Sequence, residues 1–203
     1  MPQPKLQVPL DAFMKQSQKH SDVLNLIIGV DPKLQKLLGE LVIARLFDEF
    51  MEAIAAMAYR IVTGANYVDG SHPALMVPAA RSNNDAIFQM RTHGRAKEIN
   101  LRWSKATYIR ENLKFVLSPA DHFFVTIGTF GEEISEMRAV RNRIAHSNRN
   151  SRAEFAKIVF RHYGGSVNGV TPGILLLSPR RSPVLLEQYI SISRAIVTAC
   201  SKP

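Results

Sequence analysis

The stretch DPKLQKLLGELVIARLFDEFMEAIAAMAYRIV, residues 31–62, decides the fold. Asp31 followed by Pro32 reads as an N-cap with proline at the first helical position, where its missing N–H costs nothing. Leu34, Leu37, Leu38, Leu41, Val42, Leu46, Phe50, Ile54, Met57 and Ile61 then recur at helical spacing. They form a wide apolar stripe that predicts a core face on a helix reaching about Val62, with a kink or a split at Gly39 left open. Glu40, Arg45, Asp48, Glu49, Glu52 and Arg60 interrupt the apolar run. So many charges at bilayer depth are too costly for a membrane span, and the stretch reads as the central helix of a soluble protein.

Outward from this helix the chain stays helical in pattern. Residues 1–20 read as an N-terminal arm, with Pro2, Pro4 and Pro9 ahead of a polar run, and a short helix is expected from Ser21 on Val23, Leu24, Ile27 and Ile28. Residues 64–95 carry Gly64, Asn66, Asp69-Gly70, Pro73, Pro78, Ser82-Asn83-Asn84 and Gly94, and are expected to be a long irregular insertion. A helix is predicted over about Ala96–Leu117, then a turn or N-cap at Ser118–Asp121. The next helix should run from about Asp121 to His146, broken near Gly128 or Gly131. Asn148 reads as a helix end, and helical character resumes over Ser151–His162. Residues 164–173 suggest a Gly-rich loop or short hairpin before the apolar run Ile174–Leu177, and Pro183 should open a last helix through about Ala199. The expected fold class is all-α: a helical bundle formed by residues 1–203 as a single domain.

Composition bounds the chemistry. The 203 residues include 26 Lys+Arg against 17 Asp+Glu, a net charge of +9, with 46% apolar residues, enough for a real core. Such an excess of cations attracts polyanions, either nucleic acid or an anionic membrane face. The lone Cys200 can form neither an internal disulfide nor a zinc cage. The start Met1-Pro2-Gln3-Pro4-Lys5 lacks the basic-then-apolar build of a signal peptide, so a cytoplasmic protein is expected.

The residues with chemical potential lie at the end of the helix that closes on His146. On a helical wheel Ile134, Met137, Val140 and Ile144 form the buried stripe and Arg141 falls at its edge. Ser135, Arg138, Asn142, His146 and Arg149 gather on the polar flank, with Asn142 and His146 one turn apart, close enough for their side chains to touch. An imidazole titrates near neutrality and serves as general acid or base; a guanidinium is a permanent cation whose fork matches two phosphate oxygens. Together they suit RNA cleavage by its own 2′-hydroxyl, with no metal and no cofactor required. That reaction uses both a base and an acid, and two chains meeting across a two-fold axis would supply two His and two Arg to one cleft. The same pattern also suits plainer roles. A His near a helix end can complement the dipole or cap the last carbonyls, and Arg143, Arg149 and Arg152 can be a solvated face.

Arg141-Asn142-Arg143-Ile144-Ala145-His146 resembles the signature of the HEPN superfamily (higher eukaryotes and prokaryotes nucleotide-binding domains): an Arg, a polar residue, a few more residues and a His near the end of a core helix. The form Arg-Asn-x-Ile-Ala-His is similar to that of the RiboL-PSP-HEPN branch. Leu46-Phe47-Asp48-Glu49-Phe50, Trp103 opening the next helix, and Ile134-Ser135-Glu136-Met137-Arg138 agree with it, so the likeness covers roughly Leu34 to His162. Residues 64–95 and 164–173 depart from a minimal bundle of this kind.

The resemblance implies an all-α bundle, a homodimer with its active site at the two-fold interface, and metal-independent endoribonuclease activity, often in a toxin or a phage-defence effector. Arg141 would stabilise the phosphate, His146 would be the general acid/base, and Asn142 would orient one of them or the substrate. An antitoxin or other regulatory protein is the partner such a toxin implies.

RNA is the expected substrate. Arg138, Arg143, Arg149 and Arg152, with Lys157 and Arg161, stand around the motif against the single acid Glu154, and Arg91, Arg95, Lys97 and Arg102 form a second basic strip. Tyr108, Phe155, Phe160, His162 and Tyr163 are candidates for stacking on bases. Two rival readings remain. One is a non-catalytic nucleic-acid- or nucleotide-binding dimerisation module, which would bind RNA in a salt-sensitive way without product. The other is a helical assembly protein whose Arg/His helix is only an interface.

Overall fold

The computed structural model describes residues 5–27 and 29–203, and these form an all-helical bundle. The helices are α1 (Gln7–Ile27), α2 (Pro32–Val62), α3 (Asn83–Thr92), α4 (Ala106–Leu113), α5 (His122–Thr129), α6 (Gly131–Ala145), α7 (Arg149–Tyr163), α8 (Pro172–Leu176) and α9 (Leu185–Ser201). Among the described residues no strand forms, and an isolated antiparallel bridge joins Leu75 to Leu117. None of the described helices is long and apolar enough to cross a membrane.

Helix α2 is the axis of the bundle and packs against α1, α3, α6, α8 and α9. Asp31 caps it as the sequence predicts, its carboxylate accepting from the N–H groups of Lys33 and Leu34 at 2.9 and 3.3 Å. Ile43, Leu46, Phe47, Phe50, Ile54, Met57 and Ile61 are sealed in the core. The helix runs unbroken through Gly39. That glycine is buried because α8 lies across it, and a Cβ there would meet the Leu177 Cδ1 atom at 3.2 Å. The expected core stripe is only partly realised. Leu34, Leu37 and Leu41 are exposed, since α8 covers the other side of this turn of α2.

Several expectations are corrected. Most of the expected N-terminal arm is helix: α1 starts at Gln7 and buries Pro9, Leu10, Phe13, Ser17, Leu24 and Ile27. Its apolar stripe is thin because Ser17 occupies a core position, where its hydroxyl accepts from Arg194 Nε at 2.8 Å. Pro2, Pro4 and Ile28 lie outside the described residues. The irregular insertion 64–95 contains α3, capped by Ser82, which accepts from the Asp85 N–H at 3.2 Å. The rest of it is tied down: Ala80 N–H donates to Val62 O at 2.9 Å, and Asp121 takes Tyr67 OH on one oxygen (2.5 Å) and Ala74 N–H on the other (2.8 Å).

The helix expected over Ala96–Leu117 shrinks to α4. The Asn112 amide donates to Arg102 O at 2.7 Å and accepts from Arg102 N–H at 3.4 Å, holding residues before α4 extended, so Trp103 precedes the helix instead of opening it. The predicted break in the following helix falls at Phe130–Gly131, between α5 and α6. Asn148 starts a helix where an end was expected, its side-chain oxygen accepting from Ser151 N–H at 2.8 Å. Residues 164–171 form a loop without a hairpin, the apolar run after it is mostly α8, and α9 begins at Leu185 after Pro183. Cys200 is fully buried, which pushes its thiol pKa up and leaves it a packing residue.

Candidate active site

Helix α6 carries acidic Glu132 and Glu133 in its first turn, where they complement the dipole, and buries Ile134, Met137 and Val140 against α2. This packing aims the neighbouring flank, Arg138, Arg141 and Asn142, at a surface groove. The helix ends at Ala145. His146 is the C-cap, with extended backbone (φ −136°, ψ 130°) and its N–H on Asn142 O at 2.9 Å. The Asn142–His146 relation is therefore a backbone hydrogen bond, and among the described residues no hydrogen bond joins the two side chains. On the other side of His146, Ser151 Oγ donates to His146 O at 2.7 Å. The imidazole is exposed, on a short connection pinned at both ends.

The groove has a volume of about 530 Å³ and lies where α6, the start of α7, α2 and the residues before α4 converge. Arg141, Asn142 and His146, the three expected catalytic residues, line it together, and Arg138 does as well. Sequence reasoning missed the rest of the lining. Lys105 adds an ammonium, Asn148 and Asn150 add amides, and Ser104 adds a hydroxyl. Met51 and Phe47 form its apolar floor.

One missed residue has direct electrostatic consequence. Asp48 on α2 pairs with Arg141, Nη2 to Oδ1 at 3.1 Å, and so fixes one arm of the guanidinium. The Arg141 Nε is buried without a hydrogen-bond partner, a donor that the packing closes off. The other amino group, Nη1, has no hydrogen bond or ion pair among the described residues, and the side chain lines the groove. The available signal was an acid at the edge of the α2 apolar stripe, next to Phe47 and one turn before Met51.

The expected RNA-binding arginines divide. Arg138 lines the groove, but its Nη1 is held by Glu154 at 3.2 Å. Arg143, Arg149 and Arg152 do not line it; Arg149 and Arg152 are exposed on the first turns of α7, and Arg143 is half-buried on α6. Arg91 pairs with Glu98 at 2.7 Å. Arg95 is a structural residue: only 6% of its side chain is exposed, and it binds Glu111 and the carbonyls of Met90 and Glu111 and packs on the Phe115 ring. Among the stacking candidates Phe155 is buried and Phe160 exposed, while Tyr108 and Tyr163 already carry the guanidiniums of Arg102 and Arg180.

Behind α6 a second polar cluster braces the helix. Glu136 accepts from His162 Nε2 (2.6 Å), Tyr189 OH (2.8 Å) and Arg161 Nη1 (2.8 Å), joining α6, α7 and α9. Burial opposes the Glu136 charge, but the hydrogen bonds from His162 and Tyr189 outweigh it, and the carboxyl is held below its ordinary pKa. His162 is thus a bracing residue and is withdrawn from stacking. Among the described residues, no group of three His, Cys, Asp or Glu side chains is placed to hold a metal ion.

No family model matches this chain, and no match was found among curated proteins or solved structures. The reading of the groove rests on its own residues.

Proposed function

We propose that the protein is a metal-independent endoribonuclease of HEPN type whose active centre is the groove around Arg141, Asn142 and His146. The observation that supports this most directly is the convergence of those three side chains on one open groove, with Arg141 steadied by Asp48.

In this reading a phosphodiester of RNA lies against the free arm of Arg141, with Lys105 adding positive charge. The 2′-hydroxyl attacks the adjacent phosphorus and the bond from phosphorus to the 5′-oxygen breaks, leaving a 2′,3′-cyclic phosphate and a 5′-hydroxyl. One imidazole takes the proton from the 2′-oxygen and a second gives a proton to the departing 5′-oxygen. Arg141 stabilises charge on the non-bridging oxygens as it builds. Each chain brings a single exposed imidazole to the groove, so the reading includes a homodimer in which His146 of a second copy completes the acid/base pair. A toxin or phage-defence role in the cytoplasm, held in check by an antitoxin, is the biological setting this chemistry suits.

The test is cleavage of total RNA in EDTA by the wild type, Arg141→Ala and His146→Ala, with circular dichroism as the folding control. Wild-type cleavage in chelator with a loss of roughly 10²–10⁴-fold in each variant supports the reading. Cleavage abolished by EDTA, or unchanged in His146→Ala, overturns it.

A further inference from the structure

Next to the catalytic groove is a larger cavity of about 750 Å³, between α2, the start of α3 and the extended residues before α4. Tyr59 and Trp103 line it, their rings 5.5 Å apart at 85°, so half-buried aromatic surface faces the space. Glu52 lines it with an exposed carboxylate that has no ion pair or hydrogen bond among the described residues. Arg102 lines it too, its guanidinium held 3.7 Å over the Tyr108 ring.

The two cavities adjoin. Met51 and Ser104 line both, and Asp48, which lines the larger one, holds Arg141, which lines the groove. A ligand group in the larger cavity is therefore next to whatever Arg141 binds.

The lining selects among occupants. It carries two acids, Asp48 and Glu52, against two guanidiniums, Arg60 and Arg102, with Asp48 already paired to Arg141, so it has no net positive charge to hold a bare phosphate. A purely apolar segment would bury the Glu52 and Arg102 charges without partners. A nucleobase fits, because it offers flat faces to Tyr59 and Trp103 and a polar edge to the charged groups. Among the bases, guanine alone presents two adjacent N–H donors, at N1 and N2, which match the two oxygens of a carboxylate. Adenine and cytosine pair one amino group with a ring acceptor, and uracil sets its N–H between two carbonyl oxygens. A guanidinium matches guanine O6 and N7.

We propose that this cavity is a guanine pocket, seating a base of single-stranded RNA beside the phosphate held at Arg141, with Glu52 reading N1–H and N2–H and Arg102 reading O6 or N7. The base pocket rests on the ribonuclease reading for what the guanine is attached to, but its own test needs no cleavage.

Trp103 is the single tryptophan of the chain and lines the cavity, so intrinsic fluorescence reports occupancy directly. The experiment titrates wild type and Glu52→Gln with GMP, AMP, CMP and UMP, with melting curves to confirm that both are folded. The expected result is saturable quenching in which GMP binds about tenfold or more tightly than the other three, and Glu52→Gln reduces GMP to their level. Equal affinity for GMP and AMP, no saturable quenching by any nucleotide, or an unchanged GMP preference in Glu52→Gln each overturns the proposal. A protein that prefers GMP but cuts nothing keeps the pocket and loses the nuclease. One that cuts RNA without preference at guanine and binds all four alike keeps the nuclease and loses the pocket.

Discussion

Arg141 and Asp48 are 93 positions apart in sequence and meet at 3.1 Å, Nη2 to Oδ1. The pair joins the motif helix to the central helix at the lip of the groove, and both partners remain partly open to solvent, at 27% and 42% of side-chain area. Such a pair adds little to stability, below about 1 kcal/mol, because water screens it. Its effect is directional: it commits one arm of a guanidinium that lines the groove and leaves the other without a partner among the described residues.

If the groove is the proposed ribonuclease centre, Asp48→Ala should therefore cost activity and spare the fold. Cleavage is expected to drop about 100-fold in kcat/KM, the scale of a catalytic group displaced by about 1 Å, while the thermal midpoint stays within about 3 °C of wild type. Asp48→Glu should recover part of the loss. A variant that cuts at the wild-type rate would reduce the pair to surface decoration.

The Glu136 cluster should make the protein acid-sensitive. Its carboxyl pKa is depressed in the fold, so its stabilising contribution is complete above the unfolded value near 4.5 and is lost as pH falls through the folded value. Urea denaturation at a series of pH values should show stability falling below about pH 4.5, less steeply in Glu136→Gln. At neutral pH, Glu136→Ala should lose about 2 kcal/mol, because the buried side chains of His162 and Tyr189 lose their shared acceptor. Equal acid profiles for wild type and Glu136→Gln would remove the cluster from the account.

The start of α7 sets the backbone beneath His146, and Asn148 is its cap. Asn148→Ala should cost about 1 kcal/mol of stability in denaturant melts, and Asn148→Asp should restore most of it. A melt unchanged by Asn148→Ala would show that the cap does not hold this turn.

Helix α8 sits tightly on α2. A Cβ on Gly173 would come within 2.7 Å of Lys36 O, a backbone atom that cannot swing aside, and Gly173 N–H donates to Glu40 at 2.9 Å. Gly173→Ala should destabilise by about 2 kcal/mol. Gly165→Ala, with nothing within 4 Å, should leave the melting curve in place and serves as the control.

The sequence made α2 legible because ten apolar residues repeat at one period and an Asp-Pro pair marks its start. It made the Arg141–His146 segment legible because those residue types at that spacing are chemically unusual. Helix α1 stayed hidden because a serine fills a core position and finds its partner, Arg194, far along the chain. Arg95 read as a free cation because the acid that neutralises it, Glu111, and the Phe115 ring it lies on come from other segments. Asp48 escaped for the same reason. Local pattern reports periodicity and residue chemistry, and a pairing closed across 93 positions leaves no local mark.

The contact between Arg194 and Ser17 spans 177 positions, and α9 packs on α1, α2 and α5. Loop-closure entropy must be lost before such a contact returns anything, so folding rate follows the sequence separation of the partners. Helical bundles with neighbour-to-neighbour packing fold fast. This one adds a long-range pairing: α1 packs most heavily on its neighbour α2, and also on α9, which is the last helix of the chain. Refolding should accordingly be slower than that of a bundle whose helices pack only on their sequence neighbours, although every named element is a helix.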